Sequence, residues 1–224
     1  YLRVDGLFES FRVEEDATRL FIPVNVNSEV FESQNYAGAQ AMFEYKNQNA
    51  QDFPTKARYL GVTVGAKANI AESTNSFAYA SAKIGWQEKL IPSGNLVLST
   101  TAEVKTNFGD YGSDYYFYHA PSIGGTNGLR GFRNERFAGE TYFYQSSDLK
   151  LRVARIVTAA LPITIGTYGG FDYGRVWTEN EDSEQWHNSF GGGLWVSTLN
   201  SLALNAGYFV SDEGAQIQIG FGFA

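Results

Sequence analysis

The hydrophobic and polar positions of this chain alternate with a period of two rather than 3.6. Between Tyr59 and Ile70, Leu60, Val62, Val64, Ala66, Ala68 and Ile70 interleave with Tyr59, Gly61, Thr63, Gly65, Lys67 and Asn69. Between Tyr142 and Val153, Phe143, Leu149, Leu151 and Val153 share one parity, while Tyr144, Ser146, Asp148, Lys150 and Arg152 take the other. At the end of the chain Ile217, Ile219, Phe221 and Phe223 alternate with Gln216, Gln218, Gly220 and Gly222. Successive side chains of a strand point to opposite faces, so each segment predicts a strand with one apolar and one polar or glycine face.

A soluble sandwich, apolar side inward, and a transmembrane barrel, apolar side toward lipid, both produce this pattern. Three features favour the barrel. The segments run about 10–15 residues, beyond the ~5–6 of soluble sheets and suited to tilted membrane strands. Trp86, Trp177 and Trp186 fall near segment ends, as in interfacial girdles. Lys67, Lys150 and Arg152 sit in the polar parity, where a wet lumen would solvate them. The expected lipid face comprises Leu60, Val62, Val64, Leu149, Leu151, Val153, Ile163, Ile165, Phe171, Ile217, Ile219 and Phe221. Asp148, Lys150, Arg152, Asp172 and Gln218 are expected to face the lumen.

About eleven segments can be drawn, starting near Tyr1, Thr18, Tyr36, Lys56, Ser76, Asn95, Thr141, Pro162, His187, Ser201 and Ala215. Long connections at 108–140 and 178–185 alternate with short ones at 158–161 and 198–200, the outer-membrane pattern of long external loops and short periplasmic turns. Asn47 to Thr55 is long for such a turn. No linker or repeat divides residues 1–224, so one domain is expected.

Composition narrows the chemistry. Across 224 residues, 17 Lys+Arg face 24 Asp+Glu, a formal charge of -7 that argues against nucleic acid as a partner. Without cysteine there is no disulfide framework, thiol catalysis or Cys-ligated zinc. The 24 glycines and 17 Phe, 14 Tyr and 4 Trp are unlike a helical soluble enzyme. No basic, apolar leader precedes Tyr1, so no signal peptide is expected within these residues. His119 and His187, the only histidines, lie in or beside predicted loops and are expected to be solvated. Neither stands at i, i+4 spacing with a glutamate, and no G-x-S-x-G elbow occurs. Glu179, Glu181, Asp182 and Glu184 lack the order and glycine of a calcium loop. No catalytic residues, no metal and no cofactor are expected.

The segment GGTNGLRGFRNERFAG, Gly124 to Gly139, is glycine-rich but lacks the lysine and Ser/Thr of a phosphate loop. Its centre, Gly128-Leu129-Arg130-Gly131-Phe132, resembles the [V/L]RG[F/Y] motif of the BamA/TamA superfamily (bacterial surface antigen type) of outer-membrane barrels. There the motif tips a long external loop that folds into the lumen, and five strands follow it; five predicted strands follow it here. Asp148 matches an acidic lumen position of the family. Gly170-Phe171-Asp172-Tyr173-Gly174 is close to its F-x-D-x-G, except that Gly170 stands in the aromatic's place and Phe171 directly precedes Asp172. Asp52 to Lys56, DFPTK, is similar to a common turn of the family. The ending QIQIGFGFA, with Ile219, Phe221 and Phe223, resembles the C-terminal assembly signal, although Ala224 follows the aromatic on which that signal usually ends.

The resemblance implies an all-β, antiparallel transmembrane barrel of sixteen strands, of which about eleven are seen here, with a lumen-entering loop at 108–140. Roughly 100 residues of barrel would then precede Tyr1, at ~10 residues per strand. Parity also places Asp148 and Asp172 on the same interior, where two carboxylates repel unless a cation separates them. Arg130 is the candidate for a lock between loop and wall, the pairing the resemblance also implies. The implied function is insertion or translocation of proteins at the bacterial outer membrane, with no enzymatic activity in this chain. Its implied partners are outer-membrane lipids, other outer-membrane or secreted proteins as substrates, and the rest of its own barrel or N-terminal domains. Two alternatives stay open: an anchor for an N-terminal enzyme, such as a phosphoesterase or patatin-like lipase, and a passive pore.

Overall fold

The computed structural model describes residues 1–12, 33–49, 53–71, 75–157, 162–178, 184–198 and 202–223. In chain order its strands are β1 (Leu2–Phe11), β2 (Gln34–Gln48), β3 (Lys56–Asn69), β4 (Ser76–Lys89), β5 (Leu96–Phe108), β6 (Ser122–Ile123), β7 (Phe137–Ala138), β8 (Thr141–Val157), β9 (Pro162–Trp177), β10 (His187–Thr198), β11 (Leu202–Ser211) and β12 (Gly214–Phe223). Ten of them form one sheet in the order β1-β2-β3-β4-β5-β8-β9-β10-β11-β12, while β6 and β7 pair separately inside the long loop. Every pairing of the large sheet is antiparallel between strands consecutive in that order, the meander of an all-β barrel wall. Each long strand coincides with a predicted segment; the segment expected from Thr18 lies outside the described residues.

The two faces separate as the alternation dictates. Val64, Leu149, Leu151, Phe171, Ile217, Ile219 and Phe221 project outward and are exposed, together with Trp86, Trp177 and Trp186 near strand ends. Polar side chains on that outer face bond to one another: Thr100 Oγ1 lies 3.1 Å from Ser147 Oγ, Thr106 Oγ1 is 2.8 Å from Thr141 Oγ1, and Tyr173 Oη donates to Gln145 Oε1 at 2.9 Å. A hydroxyl satisfied this way costs far less in hydrocarbon than a free one. Strict alternation in β8 ends at a bulge between Arg152 and Ala154. Val153 is 65% exposed there, and Arg155 falls opposite inward-facing Thr164. A bulge adds one residue to a strand and re-aims the side chains beyond it.

The inner face carries ionic ladders and large rings. Lys83 pairs with Glu103 at 3.0 Å, and Glu103 also accepts from the hydroxyls of Tyr142 and Tyr144 at 2.8 and 2.9 Å. Rings lie flat over glycines of adjacent strands: a Cβ at Gly65 would come within 2.6 Å of the Tyr79 ring, and one at Gly166 would strike Trp195. This complementarity explains a polar parity rich in both glycine and tyrosine.

The sheet curls around its polar face. From the β2–β3 turn, Phe53 crosses to stack on Trp195 of β10, with ring centroids 4.9 Å apart and planes 10° apart. Arg152 of β8 lies over the other partner of that stack, 5.3 Å from the Phe53 ring centre. The 109–140 loop touches β1 through His119 and Glu9, and β12 through Arg130 and Gln218. One loop thus spans the concave face from the first strand of the order to the last.

Arginine in place of Leu149, at the middle of β8 on the outer face, is expected to cost about 2–4 kcal/mol in lipid vesicles. Urea unfolding titrations of the vesicle-inserted protein measure it. A cost near zero would place this face away from lipid.

Candidate functional site

The long loop divides into two buried halves. In the first, residues 109–121, Tyr115 packs with Tyr36 and Phe77, flanked by Phe11, Tyr79 and Tyr118. A 3-10 turn at Phe117–His119 directs His119 into this cluster, where it is 9% exposed. Its ring centre stands 4.6 Å from Tyr36, 4.8 Å from Tyr118 and 4.9 Å from Phe77. His119 Nε2 is 3.1 Å from Glu9, which also pairs with Lys67 at 2.7 Å. Burial lowers the His119 pKa; Glu9 works against that shift, while the nearby Lys67 and Lys105 charges add to it. The expectation of solvated histidines is therefore corrected. His187 is half-buried, stacked on Phe137 at 3.6 Å. The burial of His119 was hidden because the loop folds inward, where loop residues meet walls instead of water.

In the second half, the β6–β7 ladder and Gly124 closing on Asn127 shape a compact hairpin. Leu129 and Phe132 are buried with Ile123, Tyr142 and Tyr144, anchoring the motif on both sides of Arg130. Gly128 has φ +96° and its Cα faces the Tyr144 ring, where a Cβ would come within 2.5 Å. Only glycine satisfies both the backbone angle and that approach. Gly131 meets Ser189 equally closely.

These anchors leave the Arg130 side chain between two carboxylates. Its Nε donates to Asp172 Oδ1 and Oδ2 at 3.1 and 3.0 Å, and an Nη donates to Oδ1 at 2.6 Å. The other Nη lies 2.7 Å from Asp148 Oδ1. The Arg130 backbone N–H donates to Asp172 as well, at 3.0 Å. Asp172 is fully buried and accepts further from Ser146 Oγ at 2.5 Å and Ser189 Oγ at 2.9 Å. Burial alone would weaken the Arg130 charge, but Asp172 and Asp148 more than offset it and raise its pKa. The guanidinium also lies 4.1 Å from the Phe209 ring centre. Gln218 Nε2 holds the Arg130 carbonyl at 2.9 Å, and Ser211 Oγ the Gly131 carbonyl at 2.9 Å. Strands β8, β9, β10, β11 and β12 all reach this one loop tip.

The structure thus brings together Arg130, Asp172, Asp148, Gly128, Leu129, Gly131 and Phe132. Gly174 joins them, because its missing side chain admits Ile123 of the loop. Phe171 does not: it projects outward and is 49% exposed. Ile219 and Phe221 also face outward, and the Phe223 side chain lies outside the described residues. Gly170 acquires a role the sequence did not disclose. A Cβ there would fall 2.5 Å from an Arg130 Nη and 2.6 Å from Asp148, so the guanidinium occupies the space an aromatic would fill. The aromatic contact comes instead from Phe209, two strands away. Ser146 was legible in part, since it shares the parity of Asp148; Ser189 was not, because its place opposite Asp172 follows from the β9–β10 register. Among the described residues no group of three or more His, Asp or Glu side chains could hold a metal. Glu179, Glu181 and Asp182 lie outside the described residues.

A family model described as haemolysin secretion/activation protein ShlB/FhaC/HecB matches residues 30–197. The crystal structure of BamA from Haemophilus ducreyi lacking POTRA domains 1-3 superposes with a TM-score of 0.68 at 18% identity, covering 100% of this chain and 51% of that one. The chain therefore spans about half the length of that BamA structure, and the likeness establishes the barrel fold. No curated protein matches the sequence.

Arg130→Ala strands a buried carboxylate and is expected to destabilise the fold by about 3–5 kcal/mol. New protease cuts between Gly124 and Gly139 are expected to accompany it. Gly170→Ala is expected to cost about 1–3 kcal/mol by overpacking and to open the same cleavage sites; an uncut loop in both variants would contradict the lock. His119 binds its proton less readily in the fold than in the unfolded chain, so stability is present above the ordinary histidine value of 6.5 and is lost as pH falls below it. Unfolding measured at pH 8 and pH 5 should show this loss, and His119→Gln should reduce it.

Proposed function

We propose, of a chain that belongs to the haemolysin secretion/activation protein family ShlB/FhaC/HecB, that it forms the barrel through which a polypeptide is secreted across the bacterial outer membrane. It is an outer-membrane β-barrel, apolar outside and polar within. The 109–140 loop is the part that holds the lumen closed and sets the strand register, and Arg130 fastens it to the wall.

The observation that carries this reading is the Arg130 lock itself. A loop seated on a wall by an ionic cluster resists displacement, yet the contact is a set of hydrogen bonds to Asp172 and an ion pair to Asp148 that can re-form. Arginine suits the task because its planar fork stays charged and bonds two carboxylates at once. An inner face carrying Lys83, Glu103, Lys67 and Glu9 would hydrate an extended polypeptide rather than retain it by apolar contact. In this reading, the protein substrate is the partner, the membrane is the setting, and no cofactor participates.

The test compares cells lacking the full-length protein with cells making wild-type, Arg130→Ala or Arg130→Lys forms at equal outer-membrane levels. A polypeptide that leaves the medium on deletion, returns with wild type and stays reduced with Arg130→Ala supports secretion. Arg130→Lys, which keeps the charge but loses the fork, is expected to restore part of it. An unchanged medium with loss of other barrel proteins from the outer membrane would replace secretion with insertion.

A further inference from the structure

Beneath the lock, toward the β2–β3 turn, the concave face lines a half-open cavity of about 370 Å³. Arg130 and Asp148 border it on the loop side, Phe53 and Trp195 on the turn side, and Lys150 and Tyr168 between them. Two of these groups are donors without an acceptor. The Trp195 Nε1–H is buried and has no hydrogen-bond partner. Among the described residues no carboxylate lies within ion-pair distance of the Lys150 ammonium; the nearby Asp148 forms its ion pair with Arg130 at 2.7 Å, its buried Oδ1 making no hydrogen bond.

The imbalance extends one step further along β8. Arg152 bonds the neutral Oδ1 of Asn95, at 2.8 and 3.1 Å, and stacks on Phe53, so among the described residues its charge too meets no anion. An unpaired buried N–H and an unpaired charge in a confined space are each costly. The indole is also fixed in place. Phe53 stacks on one of its faces, and its Cε2 edge, which bears Nε1, lies over Gly166, the β9 residue paired with Arg152. A ring held this way presents its N–H at a constant position, as a binding site requires.

We propose that this cavity is a carboxylate site, with the Lys150 ammonium and the Trp195 indole N–H as its donors. A carboxylate has two oxygens, one for each donor, and its charge balances the local excess of Lys150 and Arg152. The volume admits a group the size of acetate or a glutamate side chain. The carboxylate is either free in solution or carried on an acidic side chain of a polypeptide in the lumen. Only the second source rests on the secretion reading; binding itself is measured without any transport.

The test is nuclear magnetic resonance of the full-length protein in detergent micelles with 15N-labelled tryptophan indoles, the Trp195 signal being assigned through Trp195→Phe. Sodium acetate is expected to shift that signal saturably, and sodium chloride at equal ionic strength is expected to leave it in place. Lys150→Gln should weaken acetate binding by about tenfold or more, and Lys150→Arg should retain it, with the other indole signals unmoved as proof of folding. Capped Gly-Glu-Gly shifting the signal while capped Gly-Gln-Gly does not assigns the site to acidic side chains, and acetate acting alone assigns it to free carboxylates. A Trp195 signal that ignores both acetate and the glutamyl peptide, follows chloride equally, or responds unchanged in Lys150→Gln would overturn the site. Loss of secretion in Arg130→Ala bears on none of these outcomes.

Discussion

A guanidinium held between two carboxylates, one of them fully buried, is the constraint on which this structure turns. Asp172 has no contact with solvent, and a bare carboxylate in that position would be severely penalised. Arg130 removes the penalty only if the loop tip is inside, at the right depth and in the right rotation. Ser146, Ser189 and the Arg130 backbone N–H then satisfy the remaining carboxylate oxygen capacity. The cluster therefore fixes the loop relative to β8, β9 and β10, and Gln218 and Ser211 extend that hold to the last hairpin.

The walls are cut to suit. Where the guanidinium lies, the strand carries Gly170; where the loop backbone turns tightly, it carries Gly128; where the loop presses on β9, it meets Gly174. Rings complete the site, with Phe209 beneath Arg130 and Tyr144 beneath Gly128. Arg136 and Glu213, 2.7 Å apart at the outer turn, are both well solvated and add little to stability. Stability is concentrated at depth, where water does not compete.

Much of this was legible from alternation alone. Period-two patterning located the long strands and assigned Asp148, Lys150, Arg152, Asp172 and Gln218 to one interior, because a strand leaves each side chain only two directions. Motif resemblance then named Arg130 as the partner of Asp172. What escaped was long-range. The burial of His119 depends on the loop entering the sheet's concavity, which no local pattern encodes. The Phe209 contact depends on two strands standing between it and Asp148, and the Phe53–Trp195 stack joins a turn to a strand across the interior. Gly170, a departure from a motif by sequence, became meaningful only when the guanidinium was seen to need its space.

The central claim is that Arg130 and Asp172 act as one unit, and a double-mutant cycle tests it most directly. Unfolding free energies of wild type, Arg130→Met, Asp172→Asn and the double variant would be measured in the same detergent or lipid. A lock of this geometry predicts that the double variant is more stable than the sum of the single losses implies, with a coupling energy above about 1.5 kcal/mol. Single losses that add to within about 0.5 kcal/mol would mean that the two residues do not depend on each other, and would contradict the account.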